Sequence, residues 1–297
     1  MLMHEHVLHG VVPDELRDQS VEIAVGYLQD AARVGIDSLA CLSPARDIRL
    51  YARIAERSPV RIVVCTGSYI FPRSSPTLQQ MNEEQMFERM VREATEGIDG
   101  TKVRAGIIKV AAVKSPLTEW ERAAFRAAGR AQRATGVPVG THAVYAPREQ
   151  LDVLVAAGAD PRRCFFSHPE NTVGWEGRNL EQHADYLTAI AKDGGSLLFN
   201  NFGLVKHTPW PDLVFMLRHL CDRGYADRVL VSVDLAWEWL AGKPIIQHSP
   251  RYSEIQPRTY TYMMTDVVPA LLKAGFSAQN IRTFLVDNPR HLFAGIP

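Results

Sequence analysis

The 297-residue sequence predicts an α/β protein, a (β/α)8 (TIM) barrel, and three observations point there. Short β-rich apolar runs alternate with longer amphipathic stretches, eight such runs occur, and no GxGxxG follows the first. The alternation is the pattern of a parallel sheet with helical crossovers. Eight repeats favour closure into a barrel over an open doubly wound sheet, and the missing glycine-rich turn argues against a dinucleotide fold.

The runs are Leu2 to Val7, Ser38 to Leu42, Arg61 to Thr66, Gly106 to Ala111, Pro138 to His142, Cys164 to His168, Ser196 to Asn200 and Val229 to Asp234. Each has five or six residues, the length of an ordinary strand. Helices are expected between them, for example over Ser20 to Val34, Leu78 to Glu96, Thr118 to Thr135 and Leu180 to Lys192, where apolar residues recur every three or four. Thr118 with Glu121 makes a capping box, and Gly136 is the matching stop. One domain over residues 1–297 accommodates all of this. The stretch Leu235 to Thr265, with Trp237, Trp239, Tyr252, Tyr260 and Tyr262, follows the last strand and is expected to lie over the barrel mouth as a lid.

Composition narrows the function. Hydrophobic residues are 46% and charged residues 22%, a profile able to bury a large core. Lys plus Arg and Asp plus Glu stand at 33 each, so no field draws in nucleic acid or an acidic membrane, and a small-molecule ligand of little or no charge fits better. Cys41, Cys65, Cys164 and Cys221 lie far apart with no CxxC, which reads as buried thiols in a reducing compartment. No apolar run is long enough to span a bilayer and the start is not a signal peptide, so the cytoplasm is expected.

In a barrel of this kind chemistry is carried at the C-terminal strand ends. The first run offers His4 and His6, two apart and so on one face, with Glu5 pointing the other way. His142 ends the fifth run, His168 the sixth and Asp234 the eighth, while Lys109 sits between Ile108 and Val110 in the fourth. Each alone has an ordinary explanation: an exposed His-x-His face, a hydrogen-bonded core histidine, or an aspartate forming a turn. Together, four imidazoles and a carboxylate converge on one small region with the N and O ligands that zinc and similar ions prefer. A lysine there is costly unless altered. Its carbamate, formed with carbon dioxide, removes the positive charge and offers two oxygens to bridge a pair of ions.

At these positions the chain resembles the phosphotriesterase-related family of the amidohydrolase superfamily. The motifs are Met3-His4-Glu5-His6, Gly106-Ile107-Ile108-Lys109-Val110-Ala111, Thr141-His142-Ala143, Ser167-His168-Pro169, Ser232-Val233-Asp234 and Asp287-Asn288-Pro289-Arg290. The resemblance implies two divalent metal ions, zinc by default. His4, His6 and Asp234 would hold the more buried one and His142 and His168 the more exposed one, with carboxylated Lys109 between. It implies a shared hydroxide as nucleophile and Asp234 as proton acceptor. The substrate would be a lactone, ester or amide, with phosphotriester cleavage as a side reaction. Tyr69 matches the position where lactone-cleaving members carry tyrosine. Tyr69, Asn201, Glu170 and Trp237 are the expected substrate contacts; His207, His248 and Lys206 are weaker candidates, and His183, His219 and His291 are expected at the surface.

Two departures stand out. Asn171 occupies the place of a common aspartate three residues after the sixth-strand histidine, and Asn200-Asn201 replaces Asp-His or Asp-Arg after the seventh strand. Amides cannot take up a proton as that relay does; Glu170 is the candidate substitute, and a degenerate metal- or ligand-binding barrel is the reading that these amides support, beside the separate alternative of a true phosphotriesterase. Asp234-Leu235-Ala236-Trp237 also lacks the arginine of the phosphorylated-lactone cleavers. Relatives of this kind are often homodimers. They also have several residues before the His-x-His strand where this chain has three, which suggests a late start or a truncated chain and a less well closed barrel bottom.

Overall fold

The computed structural model describes residues 1–10, 12–112, 114–204, 207–246 and 258–294. Eight parallel strands follow one another around a (β/α)8 barrel: β1 Leu2–Glu5, β2 Ser38–Cys41, β3 Arg61–Gly67, β4 Ile107–Ala111, β5 Val139–His142, β6 Cys164–Ser167, β7 Ser196–Phe199 and β8 Val229–Val231. Every consecutive pair is hydrogen-bonded in parallel. The β8–β1 seam carries no such ladder, because β8 has only three residues. It is bridged just beyond by Asp234 N–H to His4 O at 3.1 Å and His6 N–H to Leu235 O at 2.8 Å.

Several strands stop earlier than their apolar runs do. β1 ends at Glu5, β6 at Ser167 and β8 at Val231, which leaves His6, His168 and Asp234 in the exits. Exit backbone can take conformations a ladder forbids, and both His168 (φ 62) and Asp234 (φ 49) are left-handed.

Helices fill the crossovers: α1 Arg17–Arg33, α2 Ile48–Arg57, α3 Pro76–Gln79, α4 Glu83–Thr95, α5 Glu119–Thr135, α6 Pro147–Ala156, α7 Leu180–Lys192 and α8 Trp210–Asp222. The capping box at Thr118 and the left-handed stop at Gly136 are both present. The single helix expected over Leu78 to Glu96 is instead two, because Asn82 caps Gln85 N–H and restarts the chain as α4. His183 and His219 are buried rather than at the surface. His183 belongs to the inner stripe of α7 with Ala184, Leu187 and Ile190, and its Nε2 lies 2.8 Å from Pro169 O. His219 Nε2 lies 2.8 Å from Asp185 Oδ1, whereas His291 is exposed as expected.

Two apolar layers result. Met3, Ala40, Cys65, Ile107, Phe165, Leu198 and Leu230 fill the barrel interior, closed at the N-terminal end by Leu292, while a larger shell joins sheet to helices. Met1 N donates to Leu285 O at 2.8 Å at that same end. All four cysteines are free and all but Cys221 are fully buried. No described helix is long and apolar enough to cross a membrane.

The segment expected as a lid begins as a hairpin, β9 Trp237–Leu240 with β10 Lys243–Ile246. It packs on the flank of the barrel: Trp239 Nε1 donates to Ser20 Oγ of α1 at 2.7 Å, and the Trp237 ring lies 6.1 Å from Tyr27. Trp237 is therefore fully buried, packed against Tyr27. Tyr252, Lys206 and His248 lie outside the described residues. Beyond them come a π turn Met263–Val267, α9 Val268–Lys273, α10 Ala278–Arg282, a second π turn Thr283–Asp287 and α11 Asn288–Ala294.

Candidate metal centre

At the C-terminal end of the barrel the strand exits bring the expected ligands together. Asp234 Oδ1 lies 3.4 Å from His4 Nε2 and 3.1 Å from His6 Nε2, and its Oδ2 lies 3.8 Å from His168 Nε2. His168 stacks edge-on with His142 at 4.5 Å between ring centroids and with His4 at 5.1 Å. Donors bound to one zinc at ordinary lengths stand about 3.3 Å apart, so the His4–His6–Asp234 spacing fits a single ion. Their ligand atoms all lie within 4.8 Å of one another.

The protonation states suit metal binding. Burial, followed by the charge of Lys109, holds His4 well below the usual histidine range. Burial and then His168 do the same for His142, and burial brings His168 down to about 4. Neutral imidazoles offer lone pairs. Asp234 stays ionised: burial pushes it up, but the pull of His4 and the hydrogen bond from His6 outweigh that and hold it well below the carboxylate range.

Lys109 is the anomaly. Its side chain is 1% exposed, and its Nζ has no hydrogen-bond partner among the described residues. Burial lowers the amine to about 8. Its charge is felt by His4, His142 and His168, so it stands among the imidazoles. Its register partners on β3 and β5 are Gly67 and Gly140. At Gly67, φ is +108 and a Cβ would lie 1.9 Å from Lys109 O, so only glycine lets β3 run this close.

Outer contacts fix the ligands, and sequence reasoning missed most of them. His6 Nδ1 lies 2.7 Å from Ser43 Oγ. His4 Nδ1 lies 3.1 Å from Asn200 Nδ2, and Asn200 Oδ1 accepts from His168 N–H at 3.2 Å. Glu5, behind the histidine pair, accepts from Ser232 Oγ at 2.6 Å, Val233 N–H at 3.0 Å and Leu235 N–H at 2.7 Å, which holds both sides of Asp234. Burial pushes the Glu5 carboxyl up to about 8 against the pull of these donors. The signal was the alternation of the strand, which turns Glu5 away from its flanking histidines and toward β8.

Of the expected substrate contacts, Tyr69 stands beside the cluster, its ring 5.7 Å from that of His142. Asn201 and Glu170 are both buried, and Glu170 Oε2 has no hydrogen-bond partner among the described residues. Asn201 bonds His168, Asn171 and Thr208, the last at 3.0 Å. Glu170 Oε1 accepts from the N–H groups of Asn200 and Asn201, each at 2.7 Å, while burial raises its carboxyl to about 7. Both brace the β7 exit, because the turn after β7 otherwise leaves its backbone donors unpaired. His207 is exposed and lies within the field of Asp234.

The residues fit a metal ion: the His4 and His6 imidazoles and the Asp234 carboxylate stand at ligand spacing, near a buried amine with no partner among the described residues. Comparison with known proteins agrees. The profile of the Phosphotriesterase family matches residues 1–293. The phosphotriesterase homology protein of Mycobacterium tuberculosis is 28% identical over 317 residues, 98% of this chain and 92% of its own. An N-acetyltaurine hydrolase of Xenopus tropicalis is 30% identical over 259 residues, 83% of this chain and 69% of its own. The solved structure of the organophosphorus hydrolase from Deinococcus radiodurans superposes with a TM-score of 0.83 at 29% identity, covering 98% of this chain and 91% of that one. With the barrel, the strand-end cluster and a match along nearly all its length in accord, this chain belongs to the phosphotriesterase family, whose members are hydrolases.

Proposed function

We propose that this chain is a binuclear metal-dependent hydrolase of carbonyl substrates, a lactone, ester or amide, with phosphotriester cleavage as a minor activity. The carrying observation is the Lys109 amine, buried without a partner among imidazoles. An amine lowered to about 8 supplies the uncharged form that adds to carbon dioxide, releasing one proton and leaving a carbamate. In this reading His4, His6 and Asp234 would hold one ion, His142 and His168 the other, and carboxylated Lys109 would be a ligand to both. Zinc is the expected metal. Such ions, when bound, supply Lewis acidity toward the substrate oxygen and bring the pKa of water toward neutrality.

The remaining steps belong to the chain. Asp234, ionised and 16% exposed at its side chain, accepts the proton of the attacking water on a carboxylate oxygen. Behind it, Asn171 and Asn201 bond each other and Asn201 bonds His168, and these amides cannot accept that proton. Tyr69, next to His142, supports a carbonyl substrate. So does the Xenopus tropicalis relative, an N-acetyltaurine hydrolase by name. The Deinococcus radiodurans structure, an organophosphorus hydrolase, supports the minor activity.

Zinc-loaded protein assayed on lactones, carboxylic esters, N-acyl amides and a paraoxon-like triester tests this. At least one carbonyl class is expected to exceed the triester in kcat/KM by about tenfold or more. A triester that is cleaved fastest establishes a true phosphotriesterase instead. No turnover of any class with metal loaded establishes the degenerate barrel, for which the Asn171–Asn201 pair is the specific support.

A further inference from the structure

Arg258 is a buried guanidinium with no carboxylate at ion-pair distance among the described residues. It is 3% exposed, and among the described residues its hydrogen bonds all leave from Nη1, to Phe202 O at 3.0 Å and to Val233 O. Nε and Nη2 bond no described residue. A buried arginine is ordinarily matched by an acid, because an unpaired charge in a dry site is costly.

Its place in the fold matters. Phe202 lies in the exit of β7, and Val233 in the exit of β8 immediately before Asp234, so the guanidinium bridges two loops at the end of the barrel that carries the metal cluster. The stem enters over Gly203, where φ is +81 and a Cβ would come within 2.7 Å of Arg258 Cδ and 3.0 Å of Tyr262 Oη. A larger residue there would exclude the arginine. The charge of Asp234 reaches Arg258 and opposes the lowering that burial imposes on it.

A brace between two backbone carbonyls uses only the two protons of Nη1. The planar fork keeps a second edge, Nε–H with Nη2–H, whose geometry matches the two oxygens of a carboxylate or two of a sulfonate. We propose that this free edge of Arg258 is an anion subsite at the barrel mouth that recognises a carboxylate or sulfonate carried by the substrate. The substrate class is then an acyl amide or ester with an anionic tail. This assignment of class rests on the carbonyl-hydrolase reading, whereas binding of the anion does not.

The test pairs N-acetyl-β-alanine with its neutral carboxamide, titrated calorimetrically into zinc-loaded wild type, R258Q and R258K. Wild type is expected to bind the carboxylate about tenfold or more tighter than the amide. R258Q should lose that preference while its affinity for the neutral probe stays within about twofold, and R258K, which keeps the charge without the fork, should retain a smaller preference. Equal affinities in wild type overturn the proposal whatever the variants do. So does an R258Q protein that keeps the preference or weakens both probes alike, or an R258K protein that matches wild type. Calorimetry needs no turnover, which separates the two readings. A preference without cleavage of any acyl substrate removes the hydrolase and leaves the subsite; cleavage of both probes without preference removes the subsite and leaves the hydrolase.

Discussion

Glu5→Gln replaces one of two oxygens that hold the backbone of Asp234 from both sides. Asp234 sits at φ 49, a conformation that costs a non-glycine residue about 1 kcal/mol or more and persists only where its surroundings impose it. Here Glu5 accepts from Val233 N–H at 3.0 Å and from Leu235 N–H at 2.7 Å, one residue to either side. Glutamine keeps one acceptor and turns an amide NH2 toward the other N–H. Above about pH 8, where the Glu5 carboxyl is ionised, one hydrogen bond is lost and buried donors are left facing each other, a loss of about 3 kcal/mol. That exceeds the local strain, so Asp234 relaxes and its carboxylate leaves the position 3.1 Å from His6. Urea unfolding of the metal-free protein should show the full stability loss, and zinc titration should show weakened binding. The kcat on the best substrate should fall about a hundredfold with KM little changed, because a misplaced Asp234 affects the reacting state more than binding. An E5Q protein within about 0.5 kcal/mol of wild type, with full zinc affinity, would refute the clamp.

Gly67→Ala places a Cβ 1.9 Å from Lys109 O at a φ of +108, so β3 and β4 must part by an ångström or more; stability should fall by about 3 kcal/mol in denaturant melts and zinc content should drop, while unchanged zinc content would contradict the close approach. Trp237→Ala should cost about 3–5 kcal/mol through loss of packing against Tyr27 yet leave zinc stoichiometry intact, and an unchanged melting temperature would contradict its place in the core. His183 ties α7 to Pro169, and burial lowers its pKa to about 4 from 6.5. The unfolded chain therefore takes this proton first as pH falls, and stability declines between about 6.5 and 4 by as much as about 3 kcal/mol. H183N should flatten that part of the stability-versus-pH curve; an unaltered slope would assign it to other groups.

Much of this architecture was legible because strand and helix periods are local. The eight apolar runs became eight strands in order, and Thr118, Glu121 and Gly136 bounded their helix as their chemistry requires. The ligand residues were legible for a related reason: polar side chains at the ends of apolar strands have few explanations other than a site. What depended on tertiary partners was not. Asn82 broke a helix that apolar spacing alone would continue. Trp237, placed by sequence at the mouth, packs on Tyr27, a residue 210 positions earlier that no local pattern connects to it. That Glu170 Oε1 holds the N–H groups of the β7 exit and Asn201 bonds His168 was likewise invisible in local pattern. Arg258 lay in a stretch read only as lid, and its role became visible once the carbonyls of Phe202 and Val233 were seen to converge on it.

The binuclear reading stands or falls on Lys109. Protein loaded with zinc in 13C-labelled bicarbonate can be examined by carbon NMR and by elemental analysis, beside Lys109→Ala treated identically. A carbamate resonance and a pair of zinc ions per chain are predicted for wild type, with the resonance absent and zinc content reduced in K109A. Full zinc content in K109A, or zinc-loaded wild type with no carbamate signal, would contradict it.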